Sequence, residues 1–502
     1  MDIVTGAVSP IFKLRAKKIL RMYSCFAAEL QDKQLSILVS RAANTLWGKK
    51  YGYAATKDYN TFGRNVPVST YEELYPYIKR MLNGERNVLW PSEMKWFAKS
   101  SGTTNDRSKY IPVSREILHN CHYRGGFDTV ALYLMQNDKS CLFGKKNLVL
   151  GGSHSPVRLN KSAHCGDLSA ILLHNINPLV NLTRVPDKKI ILMDEWEAKI
   201  KAIVENTYNK DVASLSGIPS WMLALIKAVL QYTGKSTLDE VWPNLEVFFH
   251  GGVGFEPYRA QYKALIPSDK MHYMEIYNAS EGFFGIQDNM TESSMLLMLD
   301  YGVFYEFIPA GEAYNAENVV PLEGVKTGVN YAMLISTCGG LWRYVIGDTI
   351  RFTSLKPYKF VITGRTKLYI NAFGEELMVD NAEKGLRKAC EATGATVKAF
   401  TAAPLFLLHT GKGKHQWLVE FENEPASTDV FAHTLDEELK SLNSDYDAKR
   451  YRDISLLQLE ITVARRGLFD DWMRNRDRLG GQHKVPALQN DRKLMDELLL
   501  LN

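Results

Sequence analysis

The stretch between residues 147 and 277 limits the possible folds most. Short apolar runs there end in glycine turns, and helical stretches separate them. Residues 147–150 run into Gly151-Gly152, residues 244–250 run into Gly251-Gly252, and 272–277 form a further strand-like run. Between them, 168–174, 196–204 and 221–232 carry helical patterning, and Lys189-Ile190-Ile191-Leu192 is a shorter apolar run. A strand can be apolar on both faces only if helices cover both, so this alternation predicts an α/β core. Ligands of open α/β sheets collect beyond the carboxyl ends of strands. Gly251, Gly252 and the turn at 277–281 fall there.

The flanking regions read differently. Residues 11–50 are patterned as helix, and Ser69 or Thr70 ahead of Glu72-Glu73 marks a helix start. From 295 to 363 the chain is rich in aromatic and β-branched runs (301–308, 331–337, 359–363), which predicts an antiparallel subdomain appended to the core. Beyond 364 come a helix at 375–393 closed by Gly394, strands at 403–409, 416–422 and 457–463, and a helix at 428–442. A last helix runs from 468 to about 479. This is the pattern of a small α+β domain.

Composition excludes several functions. The net charge of +5 over 502 residues is too dilute for a nucleic-acid or anionic-membrane surface. Six cysteines include no Cys-x-x-Cys, so no zinc ribbon or thioredoxin-type centre is encoded, and a reducing compartment is expected. His119 and His122 share a helical face but have no partner cluster, and are read as structural. Asp2 and the absence of an apolar segment before the basic run at 13–21 argue against a signal peptide. The apolar run 222–230 is interrupted by Lys227 and is too short to span a bilayer. A cytoplasmic protein is expected.

The chemistry is concentrated in Ser100-Ser101-Gly102-Thr103-Thr104, with Arg107 and Lys109 behind it. Backbone N–H groups, hydroxyls and one glycine can wrap a phosphate; a solvated Ser/Thr turn has the same composition. Two other phosphate motifs fail. Gly234-Lys235-Ser236 lacks the upstream glycine of a Walker A loop, and Gly252-Val253-Gly254 is followed by Pro257 where a third glycine belongs. No Ser-His-Asp or Cys-His nucleophile signature is present.

Three segments then fall in a fixed order: Ser100 to Thr104 with Lys109; Tyr277-Asn278-Ala279-Ser280-Glu281; and Trp342-Arg343-Tyr344-Val345-Ile346-Gly347-Asp348, with Gly364-Arg365-Thr366-Lys367 behind it. Together with Gly481-Gln482-His483-Lys484-Val485-Pro486, this order resembles the auxin-responsive Gretchen Hagen family of acyl acid amido synthetases, within the adenylate-forming superfamily, as a bacterial-type member. Asp106, Asn278 and Val345 depart from the family pattern, at positions that touch loop geometry and substrate preference.

The resemblance implies a large N-terminal adenylation domain (1–364), with an α/β core and a β-rich subdomain, and a small mobile α+β domain (365–502) hinged near 365–370. It implies ATP and Mg²⁺ as cofactors, with a carboxylic acid and an amino acid or other amine as small-molecule partners. An acyl-adenylate forms with release of pyrophosphate, and the amine displaces AMP. Residue by residue, Ser100, Ser101, Gly102, Thr103 and Thr104 fall to the phosphates. Tyr277, Asn278, Ala279, Ser280 and Glu281 fall to the adenine and α-phosphate side, with Glu281 as the Mg²⁺ ligand. Asp348 falls to the ribose, Arg365 to ribose or phosphate, Gly251 and Gly252 to a close approach to adenine, and Lys484 to the adenylation transition state. A monomer without nucleic-acid or membrane partners is expected. The same first half-reaction serves acid:thiol ligases, and a catalytically inactive nucleotide or acyl-acid sensor is the alternative from another class.

Overall fold

The computed structural model describes residues 2–100, 109–152, 157–177, 183–193, 195–252, 255–365, 369–407, 412–453, 455–474 and 485–502. Chain contacts divide into two units. The first takes most of the chain up to Arg365, and the second takes the chain from 369 on, with residues 255–261.

The first unit is built on a twelve-stranded sheet and a four-stranded one. Strands of the small sheet are β1 (Trp96–Ser100), β2 (Lys109–Val113), β4 (Val157–Arg158) and β5 (His164–Gly166). Those of the large sheet are β3 (Lys146–Val149), β6 (Arg184–Val185), β7 (Val212–Gly217), β8 (Val247–His250), β9 (His272–Ala279), β10 (Gly282–Ile286), β11 (Met295–Leu297), β12 (Val303–Pro309), β13 (Val320–Pro321), β14 (Asn330–Thr337), β15 (Tyr344–Leu355) and β16 (Tyr358–Arg365). The five strands β6-β3-β7-β8-β9 run parallel. Val247–His250 is buried along its whole length, as a strand covered on both faces must be.

At β9 the sheet changes character. β9 pairs antiparallel with β10, and antiparallel pairing continues through β11, β16, β15, β14, β12 and β13. The α/β core and the β-rich region are therefore both present, but the second is no appended subdomain. It continues the same sheet, because a two-residue hairpin at 280–281 lets β10 lie directly on β9.

The N-terminal helical region divides into Ile3–Cys25, Ala27–Ala42 and Leu46–Lys50. The next helix, Tyr71–Leu82, starts at Thr70 with a capping box to Glu73, whose carboxylate accepts from the Thr70 N–H at 2.7 Å. Trp47, Tyr53, Phe62, Trp90 and Trp342 join its core, and the Trp342 indole donates to the Leu89 carbonyl at 3.0 Å.

The second unit packs helices Val379–Thr393 and Thr428–Leu442 on a three-stranded sheet of β19 (Thr396–Leu407), β20 (Lys412–Asn423) and β21 (Glu460–Ala464). Leu386, Phe431, Leu435 and Leu439 form the apolar stripe between them. Gly394 ends the first helix in the left-handed region, at φ +71°. That helix begins at Val379, later than the periodicity suggested. Residues ahead of it form β17 (Tyr369–Ile370) and β18 (Leu377–Met378), and the Glu375 carboxylate holds the loop between them by accepting from the Phe373 N–H at 2.6 Å. Among the described residues no helix is long and apolar enough to cross a membrane.

Candidate functional site

The turn at 277–281 is a tight hairpin. Ala279 faces Gly282 and Asn278 faces Phe283, so Ser280 and Glu281 alone make the connection between β9 and β10. Glu281 is only 7% exposed. Three residues before Ser280, the Tyr277 hydroxyl donates to Asp348 Oδ2. Asp348 lies on β15 opposite Arg365, with three strands between β15 and β9 in sheet order, yet the side chains meet. Gly347, at φ +97°, gives β15 a backbone conformation that side-chain-bearing residues rarely take, just before Asp348.

The end of β8 lies against the same strand. A Cβ on Gly251 would sit 2.3 Å from the Ile276 carbonyl oxygen, so a side chain there would displace β9. Gly252 follows at φ +85°. At the turn after β3, with β7 between it and β8, fully buried Lys199 donates to the carbonyls of Gly151 and Gly152, both at 2.9 Å. Sequence reasoning missed Lys199, because one lysine among several on a helix carries no local signal.

The hydroxyl-rich segment joins this region through its flanks. β1 and β2 pair antiparallel, with Ser100 opposite Lys109, so residues 101–108 connect two paired strands. Lys109 Nζ donates to the Tyr344 hydroxyl at 3.3 Å and lies over the Tyr71 and Tyr344 rings. Tyr344 opens β15, which carries Asp348. Arg343, by contrast, belongs to the core. It is 1% exposed, pairs with both Glu306 oxygens at 2.9 Å, and donates to the carbonyls of Gly63 and Val66.

The His119–His122 segment forms a π-helical turn, Ile117–Tyr123, leading into helix Arg124–Gln136. His122 is buried and its Nδ1 donates to Asn278 Oδ1 at 2.8 Å. Burial pushes its pKa down to about 4, so the ring is neutral at ordinary pH. Among the described residues no group of three or more His, Cys, Asp or Glu could hold a metal ion.

Three family models match the chain in order. The GH3 family N-terminal domain matches residues 16–271, the central domain 296–365 and the C-terminal domain 380–493.

The chain belongs to the GH3 family.

Relatives of this GH3 protein include indole-3-acetic acid-amido synthetase GH3.4 of Arabidopsis thaliana, 25% identical over 98% of this chain and 95% of that one. The 4-substituted benzoates-glutamate ligase GH3.12 of the same plant is 23% identical over 98% of each. Among solved structures, AtGH3.15 acyl acid amido synthetase in complex with 2,4-DB aligns with a TM-score of 0.61 at 20% identity, covering 97% of this chain and 95% of that one. A 2-hydroxyisobutyryl-CoA ligase aligns at 0.58 and 12% identity, over 96% and 94%, a likeness of fold.

Of the site residues expected in this GH3 chain, Tyr277 and Asp348 meet directly, and Asn278, Ala279, Ser280 and Glu281 surround the same hairpin. Gly251 abuts the strand that carries them, and Gly252 follows it. Ser101, Gly102, Thr103, Thr104 and Lys484 lie outside the described residues, as does Lys367, where a hinge is expected. Ser100 and Arg365 are described by backbone alone. The donor chemistry suits Mg²⁺: one carboxylate, leaving the remaining positions to phosphate oxygens and water, is how this hard cation is usually held.

Proposed function

We propose that this GH3 protein binds ATP at the carboxyl ends of β8 and β9, activates a carboxylic acid as its acyl-adenylate and transfers the acyl group to an amine, as an acid–amino acid ligase. The observation that carries this is that described residues from three separated stretches of chain meet in one unit. Lys109, which closes the hydroxyl-rich loop, reaches Tyr344, and Tyr277 of the hairpin reaches Asp348 on the same strand as Tyr344.

The chemistry follows from the residue types. A free carboxylate is a poor electrophile, since its leaving group would be oxide. Transfer to the α-phosphate of ATP supplies a good leaving group, so the protein needs to position reactants and balance phosphate charge, with no covalent nucleophile. In the proposed arrangement, Ser100 to Thr104 cradle phosphates, Asp348 accepts from ribose hydroxyls, Gly251 and Gly252 let adenine approach, and Tyr277 to Ser280 line the adenine and α-phosphate side. Glu281 would hold Mg²⁺, which supplies positive charge against the phosphates. Arg365 is assigned to ribose or phosphate and Lys484 to the adenylation transition state. The boundary is proposed at 364/365, with residues 365–502 moving about a hinge near 365–370. The protein is proposed to act as a monomer in the cytoplasm.

The test is ATP–pyrophosphate exchange across a panel of carboxylic acids, before any amine is added. Acid-dependent exchange supports adenylation and names the acid class; its absence across the panel removes the proposal. Adding amino acids or coenzyme A in a second step then decides between amide and thioester.

A further inference from the structure

We propose that the π-helical turn Ile117–Tyr123 is a clamp that sets the position of the Ser280–Glu281 hairpin, with His122 as its positioning residue. The inference rests on the proposed role of Glu281 at the metal–nucleotide site.

A π turn has poorer backbone geometry than an α turn and recurs beside functional sites. Here it carries two consecutive residues, Cys121 and His122, that both contact the β9–β10 hairpin. His122 Nδ1 donates to Asn278 Oδ1 at 2.8 Å, and Cys121 Sγ accepts from the Phe283 N–H at 3.0 Å. Asn278 and Phe283 are register partners on opposite strands. The clamp therefore grips both arms of the hairpin at one level, with only the Ala279–Gly282 pair between that level and the turn.

Two further observations say why a clamp is needed. The β9–β10 register shifts between Phe283 and Gly285, so the ladder below the turn is irregular and fixes it poorly by itself. The helix that follows the clamp also presses on the hairpin: a Cβ on Gly125 would lie 2.4 Å from the Phe283 ring. His122 Nε2 is buried with no hydrogen-bond partner among the described residues, so the ring's bond to Asn278 is what offsets its burial.

Three variants test this. His122→Leu removes the donor. His122→Asn keeps an N–H as many bonds from Cα as Nδ1. Cys121→Ala releases the other arm. Backbone amide exchange at 279–283 is expected to quicken about tenfold in His122→Leu and in Cys121→Ala, with β12 and β14 unchanged, and to return towards wild type in His122→Asn. In ATP–pyrophosphate exchange, His122→Leu is expected to raise KM for Mg·ATP about tenfold while KM for the acid stays put, and His122→Asn to recover most of the loss. Unchanged amide exchange at 279–283 in both folded release variants overturns the clamp. An Asn variant no better than Leu overturns the role of His122. A wild-type enzyme without acid-dependent pyrophosphate exchange overturns the proposed function instead, and the amide measurement still judges the clamp.

Discussion

His122 in the first unit and His415 in the second are both sealed from solvent, and each makes one 2.8 Å contact through one ring nitrogen. Their acceptors differ. His122 meets the neutral side chain of Asn278, whereas His415 Nε2 meets the buried carboxylate of Glu375. Glu375 in turn holds the Phe373 N–H. Nearby, Asp436 accepts from Tyr446 at 2.6 Å and pairs with the Arg450 guanidinium. Burial pushes the Asp436 pKa up, and the hydrogen bonds from Arg450 and Tyr446 more than reverse it, leaving it lowered. The second unit therefore spends buried polar groups on its own core, where charges satisfy one another. The first spends His122, Asn278, Tyr277 and Asp348 on holding one turn. Substitutions in the network around the 280–281 turn should cost catalysis at little cost in stability, and in the Asp436 cluster the reverse.

Four experiments would break or sharpen that contrast. Glu281→Gln should lower Mg²⁺-dependent adenylation by about a thousandfold, with the melting temperature within about 2 °C of wild type; retained activity would take Glu281 out of the metal role. Lys484→Ala should slow adenylate formation by about a hundredfold and leave attack on a supplied acyl-adenylate largely intact; single-turnover assays of each half-reaction separate the two, and equal slowing would remove Lys484 from the first step.

Asp436→Ala should do the opposite. It leaves buried Arg450 without its main carboxylate and should cost about 3–5 kcal/mol of stability by denaturant titration. Adenylation per folded molecule should hardly change. A loss of activity at unchanged stability would collapse the distinction between the two networks.

The last effect is a pH dependence of stability. His122 titrates near 4 in the folded chain, against an ordinary value of 6.5. Below about 6.5 the unfolded chain takes up a proton that the folded chain refuses. Stability from this residue is thus full above that pH and falls as pH drops towards 4, by up to about 3 kcal/mol. His122→Asn should flatten that part of the curve; an unaltered slope would mean that the folded ring is accessible to protons.

Much of this was legible in the sequence, for physical reasons that can be traced. Short apolar runs located β8 and β9, and period-3.6 patterning located the helix Thr428–Leu442, because burial writes itself into neighbouring residues. Ser69 or Thr70 ahead of two glutamates, and Gly394, marked helix ends through short-range hydrogen bonding and backbone freedom. What was not legible depends on distant partners. No local pattern says that β10 lies on β9 in one continuous sheet, that Tyr277 reaches Asp348, or that Arg343 pairs with Glu306 in the core. The His119–His122 spacing suggested one helical face; a π turn changes which residues point together, and Cys121 joined His122 instead.

The polarity change at β9 also bears on how the chain assembles. From β9 onward, some neighbouring strands join through short connections, with two residues between β9 and β10 and Leu355 facing Tyr358 between β15 and β16. The parallel strands β3, β7 and β8 find their partners only across intervening helices such as Pro219–Thr233. Local pairings close with less loss of chain entropy and so form sooner. In pulse-labelled hydrogen exchange during refolding, protection is expected first in β12 and β14 to β16 and last in β3 and β7. Simultaneous protection of both halves would mean that the sheet condenses as one. The hairpin that carries Glu281 would then be the seam at which an early half waits for a late one.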